Sequence, residues 1–506
     1  MSDRSIKFSI GAGAASAVIV TILNILIQPI LINHYGKQVY GIYVIISSVS
    51  IYVGLLNLGI PTATLVIANK ATEAEKIFRN GYIFSISLSA ILILLSLFLC
   101  YIIPIQIFEG SFSSLKSSSS HYALTAAVIS VALKFPVQII LNYYVHKGNQ
   151  VPVRLFDSTT ALAAFISALL AISLDLGVEY VFYFSALLFF AVHIIATFAI
   201  RGETFAKIIK KCKVSVDWTV GKNILKRGLV FTILSFPVTI SLTIDNFIIA
   251  HYHSIDKVTD YSLSSKIFIY YYSFINLYAV SIFGLIGSKI REGEYLWVDK
   301  RVSSGATFTS IINGIICIAV LLFIEDVLLL WTGRSDIEVP IAYKYLMGLY
   351  FYTLPLVNIT SSMLTGTNNL KAVTKIAIFE VVVHLAVSSL LIPKYGITGA
   401  AAALFLSSLL VPYLLLPIIN QRIHSFLGTS FIKTNAKLFL CSFIPVIGLL
   451  YVVESQNLFK VDFIDKILIL LCCILIYSLL MKCISIFDSH LKEIKYDAES
   501  FIKART

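Results

Sequence analysis

Few ionisable side chains interrupt the long apolar runs of this sequence, and each poses a chemical question. Lys134 lies about 13 residues into the run 121–145, far from either end. A charged group at such depth costs about 2.5–3.5 kcal/mol on insertion scales, so it should face a wet interior or a partner. Its compact ammonium suits a phosphate or an acidic sugar; the alternative is a structural salt bridge, for instance with Asp157. Lys266, about seven residues into the run 259–287, offers the same anion chemistry or snorkels to an interface. Asp245 can exchange a coupling proton or pair with Lys266. Glu380 and His384 stand at i and i+4, so one helix face carries both. They form either a proton relay or a hydrogen-bonded packing pair.

Uncharged polar groups form a second set. Asn24, Gln28 and Asn57 can satisfy sugar hydroxyls or hydrogen-bond between helices. Pro136 follows Lys134 closely and has a counterpart in Pro355. Each removes a backbone donor and either gates or simply shapes its helix.

Membrane helices must position these groups. The 506 residues are 58% hydrophobic and 13% charged, and the mean hydropathy is +0.89. Soluble domains carry about 25% charged residues, so the bilayer is the solvent for most of this chain. Fourteen runs approach the roughly 20 residues needed to cross it: 10–33, 42–68, 81–105, 121–145, 155–174, 178–200, 228–250, 259–287, 305–325, 342–366, 372–392, 397–419, 436–453 and 463–482. The first run is too long for a signal h-region, so the sequence predicts a retained helix.

With the N-terminus inside, the inner segments hold 29 Lys and Arg and the outer ones seven. Cytoplasmic loops concentrate cations, which predicts cytoplasmic N- and C-termini. The net charge of +12 is then an orientation signal, and nucleic-acid binding is not expected. Lys207, Lys210, Lys211 and Lys213 in the long inner segment should rest on anionic lipids. The seven cysteines include no CxxC and read as small apolar side chains, and no metal site is expected.

The chain also repeats itself. His34-Tyr35 matches His251-Tyr252 at an offset of 217, Tyr43 matches Tyr261 at 218, and Pro136 matches Pro355 at 219. Gly148 matches Gly366 at 218, and Gly177 matches Gly396 at 219. Nearly constant offsets predict two six-helix lobes, and an even helix number keeps both the same way up. The expected fold is an all-α polytopic membrane protein of about fourteen helices, with two pseudo-symmetric lobes and two extra C-terminal helices. Its parts are an N-lobe at 1–200, a basic linker at 201–227, a C-lobe at 228–420, two further spans at 421–482 and a tail at 483–506.

Three segments support a resemblance. Pro29-Ile-Leu-Ile-Asn-His-Tyr-Gly36 followed by Tyr40-Gly-Ile-Tyr43, then Asn57-Leu-Gly59, then Leu391-Ile-Pro-Lys-Tyr-Gly-Ile-Thr-Gly-Ala-Ala401 resemble the O-antigen and polysaccharide flippases of the MATE-like exporter superfamily. The resemblance implies alternating access in a bacterial inner membrane, with an oligosaccharide on undecaprenyl pyrophosphate as cargo. It also implies an H+ or Na+ gradient as the drive, no cofactor, and a polysaccharide polymerase and assembly proteins as possible partners. It would place Lys266 in a helix facing the central cavity. The sequence has no GxxxxGK[ST] loop for a nucleotide. No segment outside the membrane is large enough for a folded catalytic domain, so a transporter is expected rather than an enzyme. A multidrug or cation antiporter of the same fold and a peptidoglycan-precursor flippase are the nearest alternatives, and a membrane polymerase is a more distant one.

Overall fold

The computed structural model describes residues 3–69, 73–102, 117–149, 151–199, 217–366, 369–423, 448 and 463–483. Among them, every regular element is helical. These are α1 (Asp3–Leu55, two helices joined across a kink at Gly36, φ 82° and ψ 170°), α2 (Ile60–Ala68), α3 (Ala74–Ile102), α4 (Ser117–Ala132), α5 (Lys134–His146), α6 (Val151–Ser173), α7 (Glu179–Ala199) and α8 (Trp218–Tyr252). There follow α9 (Ile255–Arg291), α10 (Tyr295–Thr332), α11 (Ile341–Gly366), α12 (Leu370–Tyr395), α13 (Ile397–Ser408), a π-helical turn (Leu409–Tyr413), α14 (Leu414–Ile423) and α15 (Phe463–Cys483). Among the described residues, seven helical stretches, one of them running across the breaks at Gly36 and Leu58-Gly59, are long and apolar enough to cross a membrane. Their outer faces confirm the solvent: along α3, Ile91, Leu94 and Phe98 are 59%, 67% and 59% exposed. Only lipid tolerates such a stripe, and the chain is a multi-pass membrane protein.

Each expected span except 436–453 falls on helix; that one lies outside the described residues apart from residue 448. The lysines at 207–213 and the tail after 483 also lie outside them. Three local expectations need correction. The run 42–68 is not one helix. Asn57 Oδ1 accepts the Gly59 N–H at 2.8 Å, and Leu58 and Gly59 are both left-handed (φ 52° and 62°), so α1 ends and α2 begins. The helix expected from 228 starts at Trp218, because Asp217 caps it by accepting the N–H groups of Thr219 and Val220 at 3.0 and 3.3 Å. Lys344, counted among outer cations, is buried within α11.

Two compact units result. The first holds Met1–Thr259 and Trp331–Gly333; the second holds Asp260–Leu330 and Arg334–Thr506. In the first, Ile60 and Ala63 of α2, Phe78 and Tyr82 of α3, Ile139 and Tyr143 of α5 and Ile224 of α8 form one buried cluster. The α8 backbone passes so close to the α1–α2 turn that a Cβ on Gly228 would lie 2.3 Å from Leu58 O. In the second unit, Ala306, Leu356, Ile376, Val411 and Leu416 bring α10, α11, α12, the π turn and α14 together. There α15 is fastened to α10 at two heights. Lys466 Nζ meets Asp326 Oδ2 at 2.5 Å, and the Tyr477 ring fills the space a Cβ on Gly314 would need.

Three of the helix prolines follow one rule. Pro136 has no N–H for Ala132 O, and Ser89 Oγ of α3 donates to that carbonyl at 2.8 Å. Pro355 frees Phe351 O, which accepts from Asn313 Nδ2 of α10 at 3.2 Å; the same amide reaches Tyr352 O at 2.9 Å. Pro29 frees Ile25 O, which accepts the Trp331 indole N–H at 2.8 Å. Where water is absent a neighbour must satisfy a freed carbonyl, and in each case a polar side chain does. The two matched His-Tyr pairs share a local geometry: His34 and Tyr35 meet edge-on at 4.6 Å and 85°, and His251 and Tyr252 at 4.7 Å and 87°.

Candidate functional site

Within the first unit, α1, α5, α6 and α7 border an open cavity of about 530 Å³. Lys134 opens α5 directly after Leu133, whose backbone stays helical (φ −62°, ψ −23°), and the lysine lines the cavity wall. Its Nζ lies 4.0 Å from the centroid of the Phe189 ring of α7. The aromatic face partly compensates the ammonium for lost water. Arg154 and Asp157, one turn apart on α6, also line the cavity, and their charged groups stand 3.9 Å apart. That separation makes a loose pair, with both side chains nearly half exposed, so neither charge is consumed. The salt bridge from Lys134 to Asp157 considered from the sequence is not formed; ring contact takes its place.

Hydroxyl and amide groups complete the wall: Ser16, Thr21 and Asn24 from α1, and Thr160 from α6. Ser16 also holds the site together. Its hydroxyl donates to Arg154 O at 2.8 Å and accepts from Ser158 Oγ at 2.8 Å, tying α1 to α6 beside the guanidinium. The cavity thus presents two cations, one carboxylate and several neutral hydrogen-bonding groups. Such a set suits an anionic ligand that also carries hydroxyls.

The other sequence candidates fall elsewhere. Gln28 is buried; its Oε1 accepts from the Tyr40 hydroxyl and its Nε2 donates to Asn24 O at 3.1 Å. Asn57 is occupied in the α1–α2 turn. Asp245 is 1% exposed on α8, next to Asn246, whose Nδ2 donates to Ser48 Oγ at 3.0 Å. Lys266, Glu380 and His384 belong to the second unit, so Lys134 and Lys266 do not share one unit. His384 is fully buried, with Nε2 3.4 Å from Ser388 Oγ and Nδ1 3.5 Å from Ser407 Oγ. Glu380 lies one turn away on the same helix, half-buried and within electrostatic reach of the imidazole. The π turn follows directly after Ser407-Ser408, and such bulges recur at functional sites.

Several polar groups escaped the sequence reading. Arg154 passed for a loop cation and proves to line the cavity. Lys344 pairs with Glu325, and Lys466 with Asp326. Both carboxylates interrupt the apolar run of α10, and that interruption was the available signal. Asp217 lies outside the membrane-spanning helices. The Lys76 ammonium, 2.7 Å away, holds its carboxyl well below the usual carboxylate range, with help from the Thr219 hydroxyl and the capped N–H groups.

Comparison with known proteins agrees with this architecture. The MatE family model matches residues 231–390. A structure of the lipid II flippase MurJ in an inward closed conformation superposes with a TM-score of 0.67 at 13% identity, covering 92% of this chain and 97% of that one. An inward-facing multidrug resistance MATE transporter of the MOP superfamily gives 0.69 at 14% identity, over 80% and 95%. A MOP superfamily transporter from Pyrococcus furiosus, described as having a binding pocket of reverse polarity, gives 0.56 at 14% identity, over 84% and 96%. No curated protein matches the chain by sequence. At these identities the likeness shows the fold, which is that of the MATE transporters and MurJ.

Proposed function

We propose that this protein is an ion-coupled flippase that moves lipid-linked oligosaccharides across the bacterial inner membrane by alternating access. The supporting observation is the cavity that sets Lys134 and Arg154 against the single carboxylate of Asp157. A polyprenyl pyrophosphate bearing sugars needs cations for the phosphates, and hydroxyl and amide partners for the sugar. The Lys134 and Arg154 side chains supply the first, and Ser16, Thr21, Asn24 and Thr160 the second. The proposed layout has fourteen spans with both termini in the cytoplasm, six spans per lobe and two C-terminal spans outside the repeat. Lys266 contributes a further cation to the pathway. Glu380 and His384, with Asp245, carry the coupling proton or sodium ion.

One observation favours a second reading. Asp157 in the cavity offers an anchor for an organic cation, which would suit a multidrug antiporter of the same fold. Binding separates the two. Purified protein should take up a polyprenyl-pyrophosphate oligosaccharide in competition with inorganic pyrophosphate, and Lys134→Ala should weaken that binding. Tight binding of an organic cation with no pyrophosphate competition would replace the flippase reading by the antiporter.

A further inference from the structure

Lys134 owes its place to a backbone defect. Between α4 and α5 the ladder lacks one hydrogen bond, because Pro136 cannot donate to Ala132 O. A gap of this kind leaves a helix free to bend in more than one direction unless the carbonyl is held. Ala132 is fully buried, so water does not supply the donor. Ser89 does: it is 6% exposed on α3, and its hydroxyl lies 2.8 Å from Ala132 O and 2.8 Å from Ser85 O of its own helix. The held carbonyl is two residues from Lys134, which opens the next helical segment. The direction of that segment decides whether the ammonium reaches the cavity over Phe189.

The second copy of the repeat shows the same device without the cation. Pro355 leaves Phe351 O, and Asn313 of α10 donates to it. At the offset of 219 that relates the two prolines, the position of Lys134 is held by Thr353. Thr353 is fully buried, and its hydroxyl turns back to Tyr350 O at 2.9 Å. The clamp therefore serves the proline gap in both copies, and only in the first does a charged residue stand beside it.

We infer that Ser89 is a positioning residue for the anion site: by occupying Ala132 O it fixes the α4–α5 junction from which Lys134 reaches the cavity. This rests on the anion-site reading above, and the test keeps the two apart. Inorganic pyrophosphate is titrated into wild type, Ser89→Ala, Ser89→Thr, Lys134→Ala and Ser89→Ala/Lys134→Ala in detergent. Loss of one buried hydrogen bond should weaken binding about two- to tenfold in Ser89→Ala. Ser89→Thr, which keeps the hydroxyl, should restore it, and Ser89→Ala should add nothing once Lys134 is gone. Wild-type affinity in Ser89→Ala, or an equal further loss in the Lys134→Ala background, would overturn the inference. If Lys134→Ala itself binds pyrophosphate like wild type, the anion-site reading fails. Amide exchange over residues 133–137 then decides the clamp alone: faster exchange in Ser89→Ala but not in Ser89→Thr supports it, and unchanged exchange in Ser89→Ala refutes it.

Discussion

The attachment of α15 to α10 gives a prediction with a sign that depends on which partner is removed. Lys466 and Asp326 meet at 2.5 Å, but their side chains are 6% and 32% exposed. Asp326→Asn leaves a nearly buried ammonium without its counter-charge, which should cost about 3 kcal/mol, the low end for breaking a buried pair. Lys466→Met removes the buried charge and leaves a carboxylate that keeps part of its hydration, so the cost should be nearer 1 kcal/mol. Amide hydrogen exchange over 463–483 reads the difference directly, since local release of α15 exposes its backbone. Exchange should rise about 100-fold in Asp326→Asn and about fivefold in Lys466→Met. The double variant buries no charge and should fall back toward Lys466→Met. Equal effects, or a larger effect from Lys466→Met, would refute the assignment of the cost to the stranded ammonium. The Lys344–Glu325 pair, with side-chain exposures of 5% and 53%, should show the same asymmetry.

Other consequences are equally specific. Gly228→Ala places a methyl 2.3 Å from Leu58 O, and such overlap with backbone should cost more than about 1 kcal/mol; an unfolding midpoint in detergent equal to wild type would contradict the close approach. Asp217 has a depressed carboxyl pKa, so its contribution to folding is present above the ordinary value near 3.8 and lost as pH falls below it. Asp217→Asn should therefore narrow the difference in stability between pH 6 and pH 3, measured by thermal unfolding; an unchanged difference would contradict the assignment. Glu380→Gln and His384→Ala should each flatten the pH dependence of transport in vesicles, and wild-type profiles in both would remove them from coupling.

Much of this architecture can be read in the chain because the bilayer imposes a length. A run of about 20 apolar residues has few other outcomes, and the runs that fall on described residues become helices. What the apolar pattern hides is interruption. Asn57-Leu58-Gly59 sits inside such a run, and the left-handed pair there follows from an Asx turn and from the α8 backbone beside it. Prolines are visible in the sequence, but the donors that repair them are not: Ser89 stands 43 residues from Ala132, and Trp331 stands 306 from Ile25. The site was legible in part. Lys134 stood out for depth and Asn24 for polarity, and both line the cavity. Arg154 did not, because a cation at a helix start resembles every other loop cation until α1 is seen packed against it. Gln28 and Asn57 drew attention for their polarity, and both are used by the backbone and by Tyr40.

The measurement that bears most directly on the account is leaflet-to-leaflet transport of a polyprenyl-pyrophosphate oligosaccharide in vesicles containing wild type or Lys134→Ala. Wild type should move the lipid-linked sugar under an imposed ion gradient, and Lys134→Ala should slow it at least tenfold while remaining folded. Equal transport by the two proteins, or organic-cation efflux without movement of the lipid-linked sugar, would contradict a cationic cavity that carries an anionic cargo.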